Sequence, residues 1–303
     1  MVDRFSKNFC CTLDKHLCHF TCMSTSSQPT ISPRKAFWKC GACSHAMFHL
    51  VNQAFENNDP ELEKAADPLA GGIAQKGQQC GMLWGGALAL GTEAQKRFEK
   101  KEEAIGASIL ASKALVESFE DRAHTSNCRE ITGIDWENKF QSTLYMLKTM
   151  AQGIVFSKCF NLMNAWTPEA INTAKTSLDS VQDTPNARSC ATDMLQMMGA
   201  SEKESIMVSG MAGGIGLSGN ACGALGAAIW YRTLEWGRNH PNDKTSLFKN
   251  PTIQRVLDAF NQETQEKMSC SEICGRTFKT IQAHSDFLEE GGCKKLVERL
   301  ANA

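Results

Sequence analysis

Along most of the chain, apolar residues return at helical spacing. Between Thr92 and Asp121, Phe98, Ile105, Ile109, Val116 and Phe119 follow one another at steps of three, four or seven, with Glu and Lys between them. That pattern predicts one long amphipathic helix. Phe37 to Phe55, Trp136 to Met150, Pro168 to Val181, Ile253 to Glu266 and Cys293 to Leu300 carry the same signature, with Thr167 as N-cap and Pro168 at the first helical position. Convincing period-two strands are absent. The expected fold class is all-α, and because Gly, Pro or Asn-Asp punctuate nearly every connection, neighbouring helices are expected to pack antiparallel.

The pattern also repeats. Gly71-Gly72-Ile73-Ala74-Gln75-Lys76-Gly77-Gln78-Gln79-Cys80-Gly81 aligns with Gly213-Gly214-Ile215-Gly216-Leu217-Ser218-Gly219-Asn220-Ala221-Cys222-Gly223, six identities in eleven without a gap. Asn127-Cys128-Arg129-Glu130-Ile131-Thr132-Gly133 aligns with Ser269-Cys270-Ser271-Glu272-Ile273-Cys274-Gly275 at the same offset of 142. With looser spacing Cys43 pairs with Cys190, and Cys159 with Cys293. Each half therefore carries four cysteines in one order, and two tandem helical units of about 140 residues, packed as a pseudo-symmetric pair, account for the length. The expected organisation is an N-terminal extension over 1–30, a first unit over 31–182 and a second over 183–303. Ser24 to Pro33 reads as a linker, Asp183-Thr184-Pro185-Asn186 as the seam, and Met23 as an alternative start.

Composition narrows the function. Thirty-two Lys+Arg against 33 Asp+Glu leave a net charge of −1, so no global field gathers nucleic acid. The longest uncharged window, Ser205 to Tyr231, is long enough to span a bilayer but is broken by glycines, serines and Asn220, which argues against stable membrane insertion. No basic start followed by an apolar run marks an export signal, so a cytoplasmic, reducing location is expected, where 14 cysteines read as ligands or redox thiols rather than a disulfide frame. The partners expected are an unidentified redox partner and a second copy of the chain.

In both units the glycine segment leads through Cys-Gly into an apolar helix. Glycines permit positive φ and close approach of backbone to a bulky group, which makes Gly71, Gly72, Gly77, Gly81, Gly213, Gly214, Gly219 and Gly223 candidates for cradling a cofactor. A cysteine at a helix start sits among unpaired N–H groups that favour its thiolate, so Cys80 and Cys222 are the candidate reactive residues. The full sets, Cys43, Cys80, Cys128 and Cys159, then Cys190, Cys222, Cys270 and Cys293, have the number of ligands needed for a small iron–sulfur cluster or, second in preference, a tetrahedral zinc. Each would be assembled by the fold, since every ligand lies on a different segment. The competing reading is that these are small buried apolar residues of a helical bundle.

The order Cys, glycine loop, Cys-Gly-Ala, Cys, Cys resembles the C_GCAxxG_C_C family of redox-active proteins, related to a domain of split-Soret cytochrome c. The resemblance covers both halves of residues 36–300. Neither copy is perfect: Cys80-Gly81-Met82-Leu83-Trp84-Gly85 has Met where the family has Ala, and Cys222-Gly223-Ala224-Leu225-Gly226-Ala227 ends in Ala rather than Gly. The resemblance implies cysteine redox chemistry, through an iron–sulfur centre or thiol–disulfide exchange. The rival is a metal-stabilised or purely packed helical scaffold for a partner such as a transporter component, which the family's genomic associations imply.

Other motifs are weaker. Covalent haem is not expected, because Cys40-Gly41-Ala42-Cys43 is followed by Ser44, one position before His45. Gly214 to Gly219 satisfies G-x-G-x-x-G without a surrounding βαβ unit. Cys40, Cys43, His45 and His49 permit a zinc site to be drawn, but the second copy lacks equivalents of Cys40 and both histidines, which favours histidines satisfied by packing. Cys10, Cys11, Cys18 and Cys22 with His16 and His19 receive no role. Cys274 stands where the first unit has Thr132, one turn from Cys270, in a position to resolve a disulfide or merely to pack. The charged run Lys96 to Glu103 reads as solvated surface.

Overall fold

The computed structural model describes residues 31–151, 157–181, 187–241 and 250–303. The extension, its cysteines and the seam at 183–186 lie outside the described residues. Within them the first unit runs α1 (Pro33–Cys40), α2 (Cys43–Ala54), α3 (Pro60–Lys64), α4 (Gly81–Arg97), α5 (Lys101–Ala123), α6 (Cys128–Thr132), α7 (Lys139–Ala151) and α8 (Lys158–Ser180). The second runs α9 (Cys190–Met197), α10 (Glu202–Met207), α11 (Gly223–Asn239), α12 (Pro251–Thr264), α13 (Cys270–Cys274), α14 (Ile281–Glu289) and α15 (Lys294–Ala301). From α2 onward the order of the first unit recurs in α9 to α15, and no strand occurs among the described residues. The all-α fold and the tandem pair are thus as expected.

Three predicted boundaries shift. Phe37 to Phe55 is two helices, because Gly41 turns left-handed at φ 79° and its N–H donates to the Phe37 carbonyl, ending α1 before α2 starts. The long helix expected over Thr92 to Asp121 is also two: Phe98 and Lys100 are extended, and α5 starts at Lys101. Periodicity misses this break because Phe98, though extended, still packs against the core. Thr167 does not cap a helix; with Pro168 it lies inside α8. Its hydroxyl donates to the Met163 carbonyl at 2.6 Å, and the buried Trp166 beside it stacks edge-on against Phe119 at 4.7 Å, so packing holds a helix through a residue without an N–H.

Helices α4 and α11 are buried on nearly all faces over 81–94 and 223–234, which explains why the uncharged window is not amphipathic. No helix among the described residues is long and apolar enough to cross a membrane. The contacts between units are reciprocal: α4 meets α10 and the turn Ser209–Met211, while α11 meets α3 and the turn Asp67–Leu69. Trp84 fills the space a Cβ on Gly226 would need, 2.2 Å from its ring, and Trp230 donates from Nε1 to the Leu62 carbonyl at 3.2 Å. One hydrophobic core therefore runs through both units.

Each glycine segment forms a left-handed turn of five residues. Residues 71–75 have φ between 48° and 73°, and 213–217 between 57° and 84°. Non-glycine residues at three of the first five positions, Ile73, Ala74 and Gln75, hold this geometry at a cost of about 1–2 kcal/mol each. The turn delivers the chain back on itself: Gly77 N–H bonds the Gly71 carbonyl and Gly219 N–H the Gly213 carbonyl, both at 2.9 Å. The following residues then seat the third cysteine of each set, Cys128 N–H on the Gln78 carbonyl at 2.8 Å and Cys270 N–H on the Ala221 carbonyl at 3.2 Å.

Candidate cysteine site

Every cysteine of the two quartets sits at a helix start. Cys43 and Cys190 open α2 and α9, Cys80 and Cys222 cap α4 and α11, Cys128 and Cys270 open α6 and α13, Cys159 is the second residue of α8, and Cys293 caps α15 with φ 62°. In the second unit they converge. Cys190, Cys222, Cys270, Cys274 and Cys293 line one void of about 10 Å³, closed on its apolar side by Phe278, Phe287 and Leu296. The sulfur of Cys274 lies 3.8 Å from that of Cys270 and 3.7 Å from that of Cys293. A disulfide bond is about 2.05 Å long, and all five are free thiols.

Burial dominates the protonation of most of these groups. It pushes Cys190 up to about 12 and Cys222 up to about 11, and carries Cys80 well above the ordinary thiol range, with Cys43, Cys128 and Cys159 adding repulsion. Main-chain N–H groups do reach these sulfurs, Leu225 and Ala224 at Cys222 and Met82 at Cys80, but they do not outweigh desolvation. Burial thus opposes the helix-start effect on which Cys80 and Cys222 were expected to be ionised. Cys274 is the opposite case. The thiols of Cys270 and Cys293 both lie within S–H···S reach of it, and His284 and Arg276 lie close, so its pKa is lowered below that of a free thiol despite partial burial. By the same exchange Cys270 and Cys293 are held protonated.

In the first unit Cys43, Cys80, Cys128 and Cys159 also share one electrostatic neighbourhood. After burial, Cys159 raises Cys43, to about 12, and both raise Cys128. Thr132 takes the place of Cys274 and donates to the Cys128 carbonyl at 2.7 Å. Aromatic side chains stand there instead, Trp136 near Cys128 and Tyr145 at Cys159.

The eight glycines do two kinds of work. The Gly71 and Gly213 N–H groups lie at the equivalent sulfurs of Cys43 and Cys190 and partly offset the rise that burial imposes on them. The room beside the others is filled by the chain itself. A Cβ on Gly72 would lie 2.3 Å from Gln78 N, on Gly214 2.3 Å from the Ala221 oxygen and on Gly223 2.0 Å from the Met211 oxygen. On Gly81 it would lie 2.6 Å from the Cys43 sulfur; Gly77 and Gly219 abut Arg129 and Ser271. These are approaches of backbone to backbone or to a protein side chain, and the G-x-G-x-x-G match falls within the second of them with no strand before it among the described residues.

Cys40, Cys43, His45 and His49 do not gather as drawn. His45 Nδ1 lies 2.9 Å from Asp67 and His49 Nδ1 2.8 Å from Glu63. Burial alone would lower His45, but the Asp67 carboxylate and the Cys40 thiol raise it to about 9. Asp67 and Glu63 lie on a short segment whose spacing carries no metal or catalytic signature. Sequence reasoning also missed Arg276, His284 and Phe287 around Cys274, and Tyr145 and Trp136 around the first quartet. Only the i, i+4 spacing of Cys270 and Cys274 was a legible pointer.

The model of the family described as a putative redox-active protein (C_GCAxxG_C_C) matches residues 41–167 and again 187–303. The chain belongs to this family, as a tandem duplication that places one quartet in each match. No curated protein matches the chain. No solved structure does either.

Proposed function

We propose that the protein handles electrons by thiol–disulfide exchange, and that the exchange centre is the sulfur chain Cys270, Cys274, Cys293 of the second unit. The observation that supports this most is the placing of Cys274 between two thiols at 3.8 and 3.7 Å. An attacking sulfur must be a thiolate with a resolving thiol in reach, and here the middle group is the one held ionised while both neighbours keep protons to give. Cys222 and Cys190, buried behind them, are reserve thiols rather than the primary nucleophiles.

An iron–sulfur cluster fits this centre poorly. The space among the sulfurs, about 10 Å³, holds about one water. Sulfurs 3.8 Å apart do match the edge of a tetrahedral zinc thiolate site with bonds of about 2.3 Å. Such a site needs further donors, and among the described residues no group of three or more His, Cys, Asp or Glu side chains is placed to hold a metal ion.

Anaerobic purification separates the readings. Exchange predicts a colourless protein without stoichiometric iron or acid-labile sulfide that loses two thiols per chain to a mild disulfide oxidant. A brown sample with matching iron and sulfide would replace exchange by cluster chemistry. Thiols that react only after denaturation would leave a packed scaffold.

A further inference from the structure

A groove of about 260 Å³ adjoins the void between the sulfurs and shares Cys274, Cys293 and Phe287 with it; Lys294, Lys295 and Glu263 also line it. Of its two lysines one is closely paired and the other only at the limit of contact. Lys295 pairs with Glu263 at 3.0 Å, and Lys294 touches Glu298 at 4.0 Å. Arg276 is different: it makes no ion pair among the described residues and lies instead over the Phe287 ring, 5.4 Å from its centroid. Arg276 is not itself among the residues that line either space, but its exposed guanidinium packs on Phe287, which lines both, and its charge bears on Cys274. A planar, always charged fork is suited to gripping a carboxylate.

We propose that the groove selects small disulfides that carry carboxylates, with Arg276 and Lys294 holding the carboxylates while Cys274 attacks. The inference rests on the exchange reading. The Cys274 thiolate forms a bond to one sulfur of the substrate RSSR as its S–S bond breaks, and RS⁻ leaves to take a proton from solvent. The Cys293 thiol then gives up its proton and attacks the Cys274 sulfur, forming a Cys274–Cys293 disulfide and releasing the second sulfur as RSH. Two electrons pass from the protein sulfurs to the substrate, which leaves as two thiols.

The test uses the reduced full chain and three probes: oxidised glutathione, which is anionic, 2-hydroxyethyl disulfide, which is neutral, and cystamine, which is cationic. Peptide mass mapping gives the second-order rate at Cys274, and each rate is divided by that of the same disulfide with a free small monothiol. At low salt the normalised rate for oxidised glutathione should exceed that for cystamine by about tenfold or more, and the ratio should shrink in high salt. In the exposed-site variant R276Q/K294Q the ratio should fall towards one. Equal or faster reaction of cystamine, or an anion preference that survives in the variant, overturns the substrate assignment and leaves exchange standing. No reaction of Cys274 with any of the three overturns exchange and the assignment together.

Discussion

Cys274 carries the residue-scale argument. A thiol whose pKa lies well below the ordinary range stays ionised as pH falls, whereas the buried thiols Cys80 and Cys222 stay protonated well above neutrality. Brief iodoacetamide labelling of the native protein at about pH 6, a pH at which an unperturbed thiol near 8.5 is almost fully protonated, should modify Cys274 before any of the eight quartet cysteines. Faster labelling of Cys80 or Cys222 would contradict the assignment. His45 supplies a second prediction. Its folded value of about 9 exceeds the unperturbed 6.5, so its contribution is complete below 6.5 and is lost as pH rises through 9. Replacing its partner, Asp67→Asn, should therefore cost about 1–3 kcal/mol near pH 6. Urea melts should show that difference narrowing towards pH 10. What the sequence hid at this scale is burial: the helix-start argument for Cys80 and Cys222 names a real N–H contribution and omits the desolvation that outweighs it.

Among the elements, the two left-handed turns decide where the sulfurs go. Gly72 and Gly214 combine positive φ with backbone atoms 2.3 Å from a Cβ position, so neither strain nor contact can be relieved by a side chain moving. Gly72→Ala or Gly214→Ala should destabilise the fold by about 2–5 kcal/mol. Gly237→Ala, in open space near the end of α11, should instead stabilise by up to about 1 kcal/mol. Chemical denaturation of the three variants checks both signs. The repeat of Gly-Gly-Ile and Cys-Gly made these turns visible in the sequence, because only glycine tolerates such close approach. Nothing in the spacing, however, shows that the chain's own backbone stands beside Gly72, Gly214 and Gly223. The breaks at Gly41 and at Phe98 to Lys100 were hidden for a related reason, apolar spacing being continued by residues on both sides.

Across the whole molecule, the duplication gives one folding unit with two unlike sites. Trp230 of the second unit is fully buried and bonded to the Leu62 carbonyl of the first, and Trp84 of the first fills the Gly226 cradle of the second. Trp230→Ala should cost about 3–5 kcal/mol. Unfolding followed by tryptophan fluorescence and by circular dichroism should still be a single coincident transition; two separate transitions would mean that the units hold their folds independently. The all-α class and the tandem order were legible because helical periodicity and the 142-residue offset are properties of the chain itself. The asymmetry of the sites was written in a single difference, Thr132 against Cys274, whose meaning depends on where α15 brings Cys293.

The central claim is that the working sulfurs are Cys270, Cys274 and Cys293. It is tested most directly by oxidising the reduced protein with one equivalent of a small disulfide, blocking the remaining thiols and mapping the bonds by peptide mass spectrometry. The prediction is one intramolecular disulfide joining Cys274 to Cys293 or to Cys270, with the first-unit quartet still reduced. A bond confined to Cys43, Cys80, Cys128 and Cys159, or no bond involving Cys274, would contradict it.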